Sequence, residues 1–198
     1  IVAKAAAEHL TPVTLEMGGK NPCVVDQTAN ISLAARRIVW GKFINCGQTC
    51  IAPDYVLVHE NVKDQFVEYC KKEITRIYGD DPQQSPDYGR IINHCNFEVL
   101  KRNLSGEKIL SGGNTDPGDL YIEPTLLDNP DKESHVMKHE IFGPILPVVP
   151  YSTEQEIHDC ISSYEKPLAF YIFSNHAKFI KRLIALHSFG GGTVNDTI

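Results

Sequence analysis

Gly41-Lys42-Phe43-Ile44-Asn45-Cys46-Gly47-Gln48-Thr49-Cys50-Ile51-Ala52-Pro53 joins two segments of opposite periodicity. Before it, residues 31–40 place Ile31, Ala34, Ala35 and Ile38 at three-and-four spacing, with Asn30 as an N-cap, so they predict an amphipathic helix. After it, Tyr55-Val56-Leu57-Val58 reads as a buried strand. The stretch between delivers Cys50 into a junction held by rigid flanks, where reactive residues are often displayed. Taken alone, Cys50 stays open between a small buried hydrophobe and a nucleophilic thiol.

Working outward, the same alternation continues. Residues 1–16 read as a helix and then a short strand at Val13-Thr14-Leu15, closed by Gly18-Gly19. A strand is expected around Cys23-Val24-Val25 and a helix over 61–77, with Val62, Phe66, Cys70 and Ile74 inward. Residues 80–87 form a proline-punctuated loop, and a helix follows over 96–104. The glycines in 112–119 match no phosphate-binding fingerprint and read as a connecting turn. Apolar strands at 124–127 and 144–150, a helix over 153–163, a strand over 168–173 and a helix over 177–187 lead to the closing Gly190-Gly191-Gly192-Thr193-Val194-Asn195. Strands alternating with helices predict an α/β fold with a largely parallel sheet flanked by helices.

The chain has 198 residues, 42% of them hydrophobic, enough to bury one sizeable core. A formal charge of −6 argues against a nucleic-acid partner, which would favour a basic face. The start lacks the layout of a signal peptide, and it begins in mid-helix without Met, as a fragment would. Six scattered cysteines form no disulfide framework and no zinc pattern, so reduced thiols, a cytoplasmic setting and no metal are expected.

Glu16-Met17-Gly18-Gly19-Lys20 and Gly47-Gln48-Thr49-Cys50, whose end residues Glu16 and Cys50 stand 34 apart, together with Glu140-Ile141-Phe142-Gly143-Pro144, resemble three motifs of the aldehyde dehydrogenase superfamily in their order. The wording of Leu10-Thr11-Pro12-Val13-Thr14 and Ala52-Pro53-Asp54-Tyr55 resembles its class 3 branch, for fatty and aromatic aldehydes. The resemblance covers essentially the whole chain. It implies that residues 1–16 end a cofactor-binding domain and that residues 17–198 are the catalytic domain. It also implies NAD or NADP as cofactor, bound mainly by an upstream domain whose glycine turn is not in these residues. The implied substrate is a medium- or long-chain aliphatic or an aromatic aldehyde, and the implied assembly is a homodimer.

Oxidising an aldehyde requires the carbonyl carbon to become tetrahedral first, which a thiolate does well. The resemblance makes Cys50 that nucleophile and Glu16 the base activating water against the thioester, a role suited to a carboxylate in a partly apolar site. Backbone N–H groups of Thr49, Cys50 and Ile51 are expected to face the oxyanion. By the same resemblance, Glu140 accepts bonds from the ribose beside the nicotinamide, and Phe142 packs against it. Without the motifs, Glu16 and Glu140 read as surface carboxylates and Phe142 as core. Lys20 and Asn21 read as residues closing the turn after Gly18-Gly19. Met17, and Phe189 before the glycines, depart from the branch's usual wording near the expected substrate side. Three other readings stay open: an acylating or semialdehyde relative, a silent assembly domain, and a cysteine hydrolase. Glu16 speaks against the first, and no histidine is recommended by motif for the last.

Overall fold

Strands covered on both faces are near-continuous in hydrophobicity rather than alternating. Pro22–Val25, Tyr55–His59 and Ala169–Phe173 are of this kind, buried at every position. The computed structural model describes residues 1–198, and these three runs are adjacent inner strands of a seven-stranded sheet. In chain order the elements are α1 (Val2–Glu8), β1 (Pro22–Val25), α2 (Ile31–Phe43), β2 (Tyr55–His59), α3 (Lys63–Tyr78), α4 (His94–Leu104) and β3 (Ile109–Ser111). Then come β4 (Thr115–Asp116), β5 (Tyr121–Ile122), β6 (Thr125–Asp128), α5 (His135–Lys138) and β7 (Ile145–Tyr151). The chain ends with α6 (Glu154–Ser162), β8 (Ala169–Phe173), α7 (Ala177–Leu186) and β9 (Gly191–Val194).

The sheet runs β3-β6-β7-β2-β1-β8-β9, with every pairing parallel except β3 with β6. In register, Cys23 of β1 lies between Val56 of β2 and Tyr171 of β8. The expected α/β fold with a largely parallel, helix-flanked sheet is therefore observed. One cluster of 44 buried hydrophobic residues runs through the chain, so a single core serves all of it. Helix α2 starts where Asn30 accepts the Leu33 N–H at 3.1 Å, and α6 starts on a capping box between Thr153 and Glu156. No helix is long and apolar enough to cross a membrane.

Two local expectations, at 13–15 and 112–119, need correction, and one strand forms where none was expected. No strand forms at 13–15: Val13 and Leu15 are exposed, and no neighbouring strand offers partners for their backbone groups. Conversely, Gly191–Val194 becomes a strand because β8 supplies a parallel partner, pairing Ala169 with Gly191. Within 112–119, Thr115–Asp116 pairs antiparallel with Tyr121–Ile122 as a two-stranded hairpin.

Candidate active site

Residues 16–21 lead directly into β1, 50–54 into β2, 140–144 into β7, 168 into β8 and 190 into β9. Because these five strands are mutually parallel in the order β7-β2-β1-β8-β9, their entry segments lie along one edge of the sheet. Segments far apart in sequence thus meet. A cleft of about 400 Å³ has Glu16, Cys50, Ile51, Leu168, Tyr171 and Thr193 among its walls. Glu16 also lines an adjoining cleft with Gly18, Lys166 and Leu168. Gly18 and Lys166 in turn line a third, polar cleft with Gly19, Lys138 and Glu140. The three share walls, forming a trough from Cys50 past Glu16 to Glu140.

The turn that presents Cys50 is built from left-handed backbone. Asn45, Cys46 and Gly47 have φ of 51°, 53° and 71°. Asparagine and glycine tolerate that region, whereas Cys46 is strained there. Gln48 locks the turn: its Nε2 donates to the carbonyls of Asn45 at 3.1 Å and Arg90 at 3.0 Å, and its Oε1 accepts the Ile92 N–H at 3.0 Å. A Cβ on Gly47 would sit 2.3 Å from the Gly143 carbonyl oxygen, so this glycine lets the Cys50 turn touch the segment carrying Glu140. Gly47→Ala is expected to destabilise the protein by about 2 kcal/mol or more, read in urea unfolding, from left-handed strain plus that backbone clash.

Cys50 itself is exposed. The N–H groups of Thr49, Cys50 and Ile51 donate to no protein acceptor, while the next, on Ala52, bonds back to the Thr49 carbonyl at 3.0 Å. Three unengaged donors beside a thiol suit a developing oxyanion. Glu16 shares the Cys50 cleft but is itself exposed, because segment 10–17 packs against nothing that would cover it.

Glu140 is drawn against the glycine pair. Its Oε1 accepts the Gly19 N–H at 3.1 Å, and a Cβ on Gly18 would fall 2.1 Å from that oxygen, so only glycine admits the carboxylate here. Burial pushes the Glu140 carboxyl above its ordinary range and Asp54 adds to this, while the Gly19 N–H, Lys42 and Lys20 oppose it. Phe142 is not core: it is 41% exposed with φ of 50°, a left-handed bulky residue, and it lines neither the Cys50 cleft nor the Glu140 cleft.

Two residues assigned only turn closure do more. Lys20 is buried, and its Nζ donates to Asp54 Oδ2 at 2.5 Å and to the carbonyls of Val136 at 2.6 Å and His139 at 3.0 Å. Asp54 Oδ1 accepts the Ile141 N–H at 2.9 Å, so one ion pair ties the glutamate motif, the Cys50 segment and the Glu140 segment together. Asn21 reaches the Cys50 segment directly. A lysine or asparagine directly after a Gly-Gly turn and before a buried strand was the available signal, but it named no partner.

Lys42, in the last turn of α2, is 1% exposed. Burial pushes its amine from 10.5 down to about 8; Asp54 and Glu140 partly offset this, and Lys20 adds to it. A lowered amine means that the unfolded chain binds more protons between those two values, so stability should rise with pH across that window. Below it, the full cost of the buried charge is present. Lys42→Met is expected to raise stability at pH 7 by up to about 3 kcal/mol and to flatten the rise between pH 8 and 10.5, measured by urea unfolding.

The model for the aldehyde dehydrogenase family matches residues 1–198. A rat protein named "Aldehyde dehydrogenase, dimeric NADP-preferring" is 50% identical over 198 residues, covering all of this chain and 44% of that protein. Rat "Aldehyde dehydrogenase family 3 member A2" is 52% identical, again over the whole chain and 41% of the relative. Among solved structures, the substrate-bound state of Staphylococcus aureus AldH superposes with a TM-score of 0.96 at 49% identity, over all of this chain and 43% of that one. The chain therefore spans less than half the length of the relatives it matches.

Proposed function

This chain belongs to the aldehyde dehydrogenase family, and we propose that it supplies the nucleophile and base for NAD(P)-dependent oxidation of an aldehyde to a carboxylic acid. The observation that carries this reading is the single cleft walled by both Cys50 and Glu16. The Cys50 thiolate adds to the carbonyl carbon and forms a thiohemiacetal, whose oxyanion accepts from the unengaged N–H groups among Thr49, Cys50 and Ile51. A nicotinamide dinucleotide, when bound, supplies the hydride acceptor. Glu16 takes a proton from the water that cleaves the Cys50 thioester, releasing the acid and regenerating the thiol.

The residues present fit such a cofactor at Glu140. Its Oε1 is held by Gly19 and its Oε2 has no protein donor, leaving an acceptor for ribose hydroxyls at a polar cleft. Phe142 presents an exposed aromatic face on the same segment. Either NAD or NADP satisfies this contact; the rat relative described as NADP-preferring and dimeric supports proposing NADP among the cofactors and a homodimer. Ile51, Leu168, Ala169 and Tyr171 make the Cys50 cleft largely apolar, which supports an aliphatic or aromatic aldehyde. The scattered spacing of the six cysteines, with no disulfide framework in the sequence, is the ground for proposing a cytoplasmic, reducing setting. The test is hydrolysis of an activated aryl ester, which needs the thiol and the base but no nicotinamide. A rapid burst that depends on Cys50 supports the proposal, and a folded protein without one overturns it.

A further inference from the structure

We propose that Asn21 and Tyr171 are positioning residues for Cys50, together holding the three successive carbonyls of Cys50, Ile51 and Ala52 and so fixing the backbone that carries the thiol and the direction of the Ile51 N–H beside it. This rests on the reading of Cys50 as nucleophile. The Asn21 amide, 1% exposed, donates to the Cys50 carbonyl at 2.8 Å and to the Ala52 carbonyl at 3.1 Å. Its Oδ1 accepts the Ala169 N–H at 2.9 Å. Two carbonyls on one side and an N–H on the other admit only this orientation of the amide. The Tyr171 hydroxyl donates to the carbonyl between them, that of Ile51, at 2.6 Å. Burial raises the Tyr171 phenol above its ordinary range, so it stays a donor through neutral and mildly alkaline pH.

The anchors are themselves fixed. Asn21 lies at the entry to β1 and its backbone carbonyl accepts the Asp54 N–H at 2.9 Å, so one residue grips both ends of 50–54. Tyr171 sits inside β8, paired with Cys23. In a trans peptide the carbonyl and the following N–H point to opposite sides. Holding the Cys50 carbonyl against Asn21 therefore turns the Ile51 N–H away from Asn21, and that N–H finds no protein acceptor. The clamp acts on the reaction through the loop: freeing these carbonyls lets the thiol and its donors drift, and a displacement of about 1 Å can cost on the order of 10²-fold in rate.

Tyr171→Phe and Asn21→Asp test this, each removing donors with little change of shape. Acylation of the thiol is read with the aryl ester, in which the thiolate adds to the ester carbonyl and aryloxide leaves. Labelling of each cysteine by iodoacetamide is read alongside, with Cys95 as the exposed reference and buried Cys23 and Cys70 reporting unfolding. We expect acylation to fall about tenfold in Tyr171→Phe and about 10²-fold in Asn21→Asp, with KM changed less than about threefold. Cys50 labelling should stay within about threefold of the parent, because simple alkylation needs no aligned donors. Amide exchange across 49–54 should quicken in both variants. Acylation within about twofold of the parent in both, or a loss that appears only with labelling of Cys23 and Cys70, overturns the proposal. If Asn21→Asp does not fold, Tyr171→Phe and Asn21→Ser decide. A parent without a burst defeats the nucleophile reading instead, and the exchange of 49–54 then decides the clamp alone.

Discussion

Cys50→Ala is expected to remove the acylation burst and to lower ester turnover by at least about 10³-fold. The cleft has no substitute for the thiol. Its other hydroxyls are engaged: Tyr171 with the Ile51 carbonyl at 2.6 Å, Thr193 with the Asp196 carbonyl at 2.7 Å and Thr197 with the Arg37 carbonyl at 2.9 Å. Cys46, four residues earlier, is buried and its thiol is pushed up to about 11, so little thiolate exists there at neutral pH. Glu16→Gln should behave differently. It should keep the burst, since acylation consumes no water, and, with the proposed base gone, should slow the steady phase by about 10²- to 10⁴-fold. Stopped-flow absorbance of the released phenolate separates the two phases. A burst surviving in Cys50→Ala would move the nucleophile elsewhere. Unchanged turnover in Glu16→Gln would remove Glu16 as the base.

What was legible in the chain follows from the range of the interaction involved. Helix α2 announces itself through its Asn30 cap and three-and-four spacing, α3 through spacing alone, and β2 and β8 through unbroken apolar runs, because those signals are local. The same signal misleads at Val13-Thr14-Leu15, where an apolar run has no strand beside it, and it is silent at Gly191–Val194, where glycines become a strand only because β8 is adjacent. Convergence of Glu16, Cys50 and Glu140 on one edge follows from parallel pairing: each motif stands directly before a strand, and a parallel sheet gathers strand entries together. The motifs had to be recognised by resemblance, since strand order is not written in spacing. Lys20 and Asn21 were least legible. Their partners lie 29 to 148 residues away, and a polar residue after a glycine turn carries no mark of such contacts.

Lys20→Ala is expected to destabilise the protein by about 3–5 kcal/mol, the range for breaking a buried ion pair from one side. The side chains of Lys20 and Asp54 are only 5% and 4% exposed, so removing the ammonium strands a carboxylate out of reach of water. It also frees the carbonyls of Val136 and His139, whose donor at 2.6 Å and 3.0 Å was the same Nζ. Ile141 N–H remains on Asp54 Oδ1, but one neutral donor does not balance a buried charge. Removing both charges should cost less than removing one: Lys20→Met with Asp54→Leu leaves no orphaned ion, so the double variant should be more stable than Lys20→Ala. Urea unfolding of Lys20→Met, Asp54→Leu and the double gives the coupling directly. A Lys20→Ala loss under about 1 kcal/mol would mean that the pair contributes no more than a surface bridge. A loss of the expected size would make this pair the main tie between the Glu140 segment and the Cys50 segment, since Asp54 belongs to one and the carbonyls of Val136 and His139 precede the other.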